Sequence, residues 1–403
     1  MESLAADLDP RLRPPPACWR ELSSPPWGAW GRDATLGLVA CLGKALLLGL
    51  NTTTVDSPGG AEKLRRLVME RDGLVVGAAQ EEAGGGSAAT AAAATAPPPP
   101  PPPPTQTTPT RRRPGLLTYS NHTSTFDDPG VLVALLPLSL FWTEHAHGLV
   151  RWTLCAREIC FKNAALSAFF RSGKAFPVER GGGGGGGSRG GNGGNGGGSG
   201  SSSDGGGNDG ESSNGGSSSS SSNTSAGGLE QPAMVAAAHA LGARGDWVHL
   251  FPEGRVYDFR KAAAEAAAAA TERESGAGGG GAGGRRGGDG PPASSSSSPA
   301  PPPPLGPFRQ GAGKLVCDAR RAAGGHDPIV VPLAHSGMQK VLPRGGRVPR
   351  AGQRVRVAVG EPLDLSPWTC LCEHADAGER ERAWRGIVGA MRAAMSDLQR
   401  TIE

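Results

Sequence analysis

Short apolar runs alternate with helix-patterned segments along most of this chain. The run LLTYS at 116–120 reads as a buried strand, as does Trp247-Val248-His249-Leu250-Phe251. The run IVVPLA at 329–334 has no polar alternation, as expected of a strand covered on both faces. A strand of alternating Val and Arg begins at Val355, and AFPV at 175–178 is extended. Between these lie helix patterns. One follows Asp128, predicted to be its N-cap, with Pro129 in the first turn. Others cover 162–171, 232–243 and 307–323, and a long basic amphipathic helix covers 379–402. This alternation predicts an α/β fold, a central mixed sheet covered by helices.

The most apolar stretch, TLGLVACLGKALLLGL at 35–50, adds a second kind of element. As a helix it would be roughly 24 Å long, short of the roughly 30 Å hydrocarbon core of a bilayer. Lys44 sits inside it, and Trp27 and Trp30 just before it suit the headgroup zone. The stretch is expected to lie in or re-enter a membrane interface rather than span it, with a buried core helix as the alternative.

Three segments break the alternation: 77–113, Ala/Gly-rich with polyproline at 97–104; 181–228, of Gly, Ser and Asn; and 261–304, Ala-rich and then Ser/Pro-rich. With Gly 65 and Pro 36 in 403 residues, the folded part is expected to be smaller than the chain. Loop-closure cost grows only logarithmically with length, so these read as long disordered low-complexity insertions leaving surface loops. The plan is an N-terminal segment over 1–76 with its anchor at 35–50, and one folded domain in three pieces, 114–180, 229–260 and 305–403.

Charge and cysteines narrow the function. A net charge of +4 is too weak a bias to point to nucleic acid. Seven scattered cysteines without a Cys-x-x-Cys pair suggest packing in a reducing compartment, not a disulfide or zinc framework. His145 and His147 lack the companions of a metal site, and Gly311-Ala312-Gly313-Lys314 lacks the earlier glycine of a phosphate loop. The start MESLAADLDPRLRPPP reads as neither secretory signal nor transit peptide, so any organelle address is expected to be internal.

Candidate chemistry lies in Asn121-His122-Thr123-Ser124-Thr125-Phe126-Asp127-Asp128-Pro129, where a strand ends and a helix begins. Residues five apart lie about 140° apart on a regular helix, so His122 and Asp127 can meet only in a turn. There a carboxylate can hold the imidazole in the tautomer that takes a proton from a hydroxyl. A structural histidine beside a capping Asp is the plainer reading. Two further blocks weigh against it: Phe251-Pro252-Glu253-Gly254-Arg255 at the end of another strand, and Gly173 to Arg180, which ends in a base able to hold phosphate.

Taken in order, these blocks resemble the glycerolipid acyltransferases that carry an H-x4-D motif, with a glycerol-3-phosphate acyltransferase-like fold. Asp127-Asp128-Pro129, Cys155 to Phe161, Gly245 to Gly254, 328–338 and Gly360-Glu361-Pro362 resemble most the members that exchange acyl chains between phospholipids and lysophospholipids without CoA, remodelling cardiolipin. The resemblance covers roughly half the chain. It implies His122 as general base and Asp127 as its orienting partner. It implies Arg180, Phe251, Pro252, Glu253, Gly254 and Arg255 as binding residues, with Glu253 on glycerol hydroxyls or positioning Arg180 or Arg255. No metal and no cofactor is implied. The substrates implied are phospholipids and lysophospholipids, cardiolipin and phosphatidylcholine among them, met at an inner or outer mitochondrial membrane by a peripheral enzyme. Two departures stand out: insertions close after Arg180 and Arg260, and Ala334 before His335 in place of an aromatic, which points to an altered acyl pocket. An acyl-CoA-dependent lysophospholipid (1-acylglycerol-3-phosphate type) acyltransferase and a non-catalytic membrane-binding protein remain open alternatives.

Overall fold

The structure, a computed structural model, describes residues 15–70, 113–180, 231–257 and 305–402, without the side chains of 145 and 146. Residues 77–112 of the first insertion and all of 181–228 and 261–304 lie outside them. Seven strands are described: β1 (Thr52–Val55), β2 (Leu116–Ser120), β3 (Trp152–Ala156), β4 (Ala175–Val178), β5 (Trp247–Leu250), β6 (Ile329–Ser336) and β7 (Arg354–Val359). They form one sheet in the order β1-β7-β6-β2-β5-β3-β4. The run β6-β2-β5-β3-β4 is parallel throughout. β7 is antiparallel to β6 and β1 is parallel to β7, so the sheet is mixed.

β2 is central, with Leu116 in register with Trp247 on one side and Ile329 on the other. All five of its residues are buried, which demands partners for its hydroxyls; that of Tyr119 donates to Met391 O at 2.9 Å, and those of Thr118 and Ser120 need partners of their own. His249 supplies them: its Nδ1 lies 2.8 Å from Thr118 Oγ1 and its Nε2 3.2 Å from Ser120 Oγ. Trp247 Nε1 also donates to Thr118 Oγ1 at 2.8 Å. Burial pushes the His249 imidazole down to about 4, so it acts there as a neutral strut.

Alternate residues of the sheet feed two cores. On one face Leu117, Tyr119, Trp152, Phe176 and Val248 meet the helices α1 (Ala17–Ser23), α6 (Pro232–Gly242), α7 (Gly311–Ala322) and α8 (Ala377–Arg400). On the other Leu116, Trp247, Ile329 and Val331 meet α2 (Gly28–Lys44), α3 (Gly60–Met69) and α4 (Asp127–Leu135). α5 (Ala164–Ser172) packs beside β4, opened by Asn163, whose side chain accepts the Leu166 N–H. α7 starts at Gly311 rather than at 307, because residues 307–310 run along the Phe251 loop and the Arg309 N–H bonds Pro252 O at 2.7 Å.

The apolar stretch at 35–50 is both a core helix and an exposed surface. α2 continues into a π-turn over Ala45–Gly49. Leu36, Ala40 and Leu47 are buried, and α2 approaches its neighbours through glycine: a Cβ on Gly37 would fall 2.3 Å from the Trp142 ring. Its outward face carries Trp30, Leu38, Leu42 and Leu48, all half or more exposed. No described helix is long and apolar enough to cross a membrane.

The cysteine expectation is overturned. Cys155 is paired with Cys160, and Cys317 of α7 with Cys372. The first pair is local, five residues apart, whereas the second joins residues 55 apart that the fold brings together; Cys18, Cys41 and Cys370 are free.

Candidate active site

The loops leaving the C-terminal ends of β2 and β5 meet at His122, where a parallel sheet places its ligand sites. His122 Nδ1 lies 3.0 Å from Asp127 Oδ2. The same oxygen accepts the backbone N–H of Thr123 at 2.6 Å and of Ser124 at 2.8 Å. Asp127 thus closes the turn onto itself: the carboxylate that orients the imidazole also shapes the loop that carries it. Asp127 is fully buried at its side chain, whereas His122 keeps 18% of its side chain exposed.

Behind the pair, His335 of β6 buttresses the turn. Its Nε2 lies 2.8 Å from Asn121 O and 3.7 Å from Asp127 Oδ2, and Asn121 bonds the His335 backbone through both ends of its amide. Neither Ala334 nor His335 lines the cavity described below, so the expected alteration of an acyl pocket at this departure is not seen.

The β5 loop clamps the same histidine from the other side. The Phe251 ring stacks on His122 at 4.0 Å between centroids, 16° from parallel. Gly254 adopts φ 70°, a left-handed turn that glycine takes without strain, and its N–H bonds Phe251 O at 3.0 Å. Glu253 points inward: Oε1 accepts the His122 N–H at 3.2 Å and Oε2 has no hydrogen-bond partner among the described residues. It pairs with neither Arg180 nor Arg255, which bears on one of the two roles expected of it; the other, a contact with glycerol hydroxyls, is not touched by this. Burial raises its carboxyl to about 7.

Asp128 does not cap α4 with its side chain. Its backbone is extended, φ −112° and ψ 121°, as a cap residue's is, but the carboxylate turns to Arg151. Arg151 donates both Nε, at 2.8 Å, and Nη2 to Asp128 Oδ1. Burial alone would push this carboxyl up; the guanidinium outweighs it and holds the group below the ordinary range. No spacing rule links these two residues, and the pair was not foreseen.

A cavity of about 840 Å³ opens in front of His122. Its apolar part is walled by Leu36, Val39, Val133, Leu154, Ile159 and Phe170. Its mouth carries His122, Phe251, Pro252, Gly254, Arg255 and Arg180, six of the eight expected site residues; Asp127 and Glu253 stand behind them. Arg180 is paired with Glu158 at 3.1 Å. Arg309 also lines the mouth, its side chain against Gly254, and neither it nor Arg255 has an acidic partner among the described residues. In the sequence Arg309 stands only as part of the block Pro307-Phe308-Arg309 that continues the resemblance, with no role at the site; its position just before a helix that follows the Phe251 loop was the available signal.

Comparison with known proteins bears on this geometry. A family model described as Acyltransferase matches residues 105–336, more than half of the chain. Tafazzin of Drosophila melanogaster is 25% identical over 260 residues, covering 64% of this chain and 43% of that protein. N-acylphosphatidylethanolamine synthase of Arabidopsis thaliana is 26% identical over 262 residues, covering 63% and 58%. Tafazzin of Saccharomyces cerevisiae is 41% identical over 70 residues, 17% of each. The chain spans about half the length of the first two relatives.

Proposed function

The chain belongs to the acyltransferase family, and on that premise we propose that it exchanges fatty acyl chains between phospholipids and lysophospholipids without CoA, cardiolipin among its substrates, at the surface of a mitochondrial membrane. The observation that carries this reading is the His122–Asp127 contact at the mouth of a largely apolar cavity; the tafazzins among its relatives support it, and the relative named for a phosphatidylethanolamine product supports a phospholipid substrate.

With Nδ1 on Asp127, His122 has Nε2 free for the acceptor hydroxyl. It takes the hydroxyl proton as the oxygen attacks the ester carbonyl of a donor phospholipid. The ester bond breaks, and the same proton passes to the departing lysophospholipid oxygen. The bond broken and the bond formed are both esters of an alcohol, so the step runs readily in either direction. Asp127 holds the imidazole in register and stabilises its cation. Glu253 positions the base through the His122 N–H. Arg255 and Arg309, with no acidic partner among the described residues, offer guanidinium groups to the lipid phosphate, with Arg180 beside them. Phe251, Pro252 and Gly254 shape the mouth.

α2 supplies both a wall of the cavity, through Leu36 and Val39, and an exposed apolar face, through Trp30, Leu38 and Leu42. A lipid passing from a bilayer along this helix reaches His122 without crossing water. The helix is the interfacial anchor in this reading.

The test of the donor is direct. Purified protein given labelled phosphatidylcholine and monolysocardiolipin should transfer acyl chains with no CoA present; transfer only from acyl-CoA would assign the CoA-dependent reaction instead. The likeness to N-acylphosphatidylethanolamine synthase favours one second reading, in which the same base serves the amine of phosphatidylethanolamine. Supplying that lipid beside the lysolipid and weighing amide against ester product separates the two.

A further inference from the structure

From Met338 to Gly360 the chain carries six cations, Lys340, Arg344, Arg347, Arg350, Arg354 and Arg356, and no acidic residue. Arg356 is paired with Asp56. Lys340, Arg347, Arg350 and Arg354 are exposed and have no acidic partner among the described residues. This charge is concentrated in a chain whose net charge is only +4. The loop also has an apolar tip: Val348, between Arg347 and Arg350, is 76% exposed.

Its position is set by two tethers. Leu342 O accepts the Ser124 hydroxyl at 2.7 Å, fixing one end to the turn that carries His122. The Gly352 N–H bonds Leu50 O at 2.8 Å, fixing the other beside the exposed Leu48 and Leu50 at the end of the apolar stretch. Basic loop, apolar helix end and His122 turn are therefore neighbours.

We propose that the 340–354 loop is a contact for the anionic headgroups of a bilayer, seating Arg347, Arg350 and Arg354 on lipid phosphates while Val348 and the adjoining leucines enter the interface. This rests on the membrane-surface reading above and adds the lipid charge that the surface must carry. Charge complementarity selects the occupant: uncompensated guanidinium groups flanking apolar tips match an anionic interface. A single-stranded nucleic acid would require stacking aromatics between the cations, and the loop has none.

The experiment is sedimentation of the full chain with vesicles of phosphatidylcholine alone and of phosphatidylcholine mixed with phosphatidylglycerol, for the wild type and for Arg347→Gln/Arg350→Gln/Arg354→Gln. The wild type should prefer the anionic vesicles, and the triple variant should lose roughly 100-fold in affinity for them, at about fivefold per cation, with no change on neutral vesicles. Raised salt should erase the same difference, and the corresponding triple Lys variant should keep it. Equal binding of the wild type to both vesicles would overturn the proposal and leave the apolar anchor standing. An anionic preference that survives in the Gln variant would overturn it too. Binding to neither vesicle would sink both readings, and binding to single-stranded RNA alone would reassign the loop.

Discussion

Arg151, at the head of β3, and Asp128, at the entry to α4, are locked together in the wall of the cavity with only 6% and 5% of their side chains exposed. The two adjacent carboxylates of the H-x4-D turn thus have separate duties. Asp127 turns to His122, and Asp128 turns away to a base 23 residues on. The pair fixes where α4 starts relative to the sheet, and through it the far end of the turn that carries His122.

Removing one partner of such a pair strands a buried charge. Arg151→Leu should lower stability by roughly 3–5 kcal/mol, and adding Asp128→Asn should recover most of that loss. Thermal melting of the two variants checks this. Equal melting temperatures for the single and double variants would show that the ion pair does not hold the wall.

Asp127→Asn tests orientation separately from shape. The amide retains the size of the carboxylate but loses its charge and can present its NH₂ to Nδ1, favouring the wrong tautomer. Turnover should fall roughly 10²–10⁴-fold, as for other disabled base–carboxylate pairs, with acceptor KM little changed. A variant that melts normally and turns over within a few-fold of wild type would remove Asp127 from the mechanism.

Much of this arrangement is legible in the sequence, for a physical reason. The β2, β5 and β6 runs are buried on both faces, so their apolar character is uninterrupted, and each is followed by a turn with its own chemistry. His122 and Asp127 lie within one such turn, so a local argument reaches them. Contacts set by the sheet are another matter. β1 is a short, largely polar edge strand, TTTV, that exists because Thr52 pairs with Arg354 some 302 positions away. β3 lies between Arg151 and Arg157, with no clear alternation to announce it. Glu253 reaches the His122 N–H across 131 residues, and nothing local distinguishes that from the expected contact with Arg180 or Arg255. The Cys317–Cys372 pair is legible only once α7 is set beside the residues before α8.

Glu253 makes stability depend on pH. Its carboxyl titrates at about 7 in the fold against an ordinary 4.5, mainly through burial. The fold favours the protonated form, so the stabilisation is complete below about pH 4.5 and is lost as pH rises through about 7, a swing of about 3 kcal/mol. Glu253→Gln keeps an acceptor for the His122 N–H and does not titrate. Its melting temperature should match wild type near pH 5 and exceed it by several degrees near pH 8, roughly as that energy implies. Parallel melting curves across this range would contradict the assignment.

Val39 tests the acyl cavity. It lines the wall from α2 and is only half-buried, so a larger side chain there narrows the cavity without disturbing the core. Val39→Phe should reduce kcat/KM for long acyl donors roughly tenfold more than for short ones. A uniform loss across chain lengths would place the acyl chain elsewhere.

The base itself admits the most direct test. Acyl transfer from labelled phosphatidylcholine to a lysophospholipid, without CoA, is measured for wild type and for His122→Ala, with vesicle sedimentation as the control for lipid binding. The account predicts that His122→Ala abolishes transfer and leaves sedimentation unchanged. Transfer at the wild-type rate by a variant without that imidazole would contradict it.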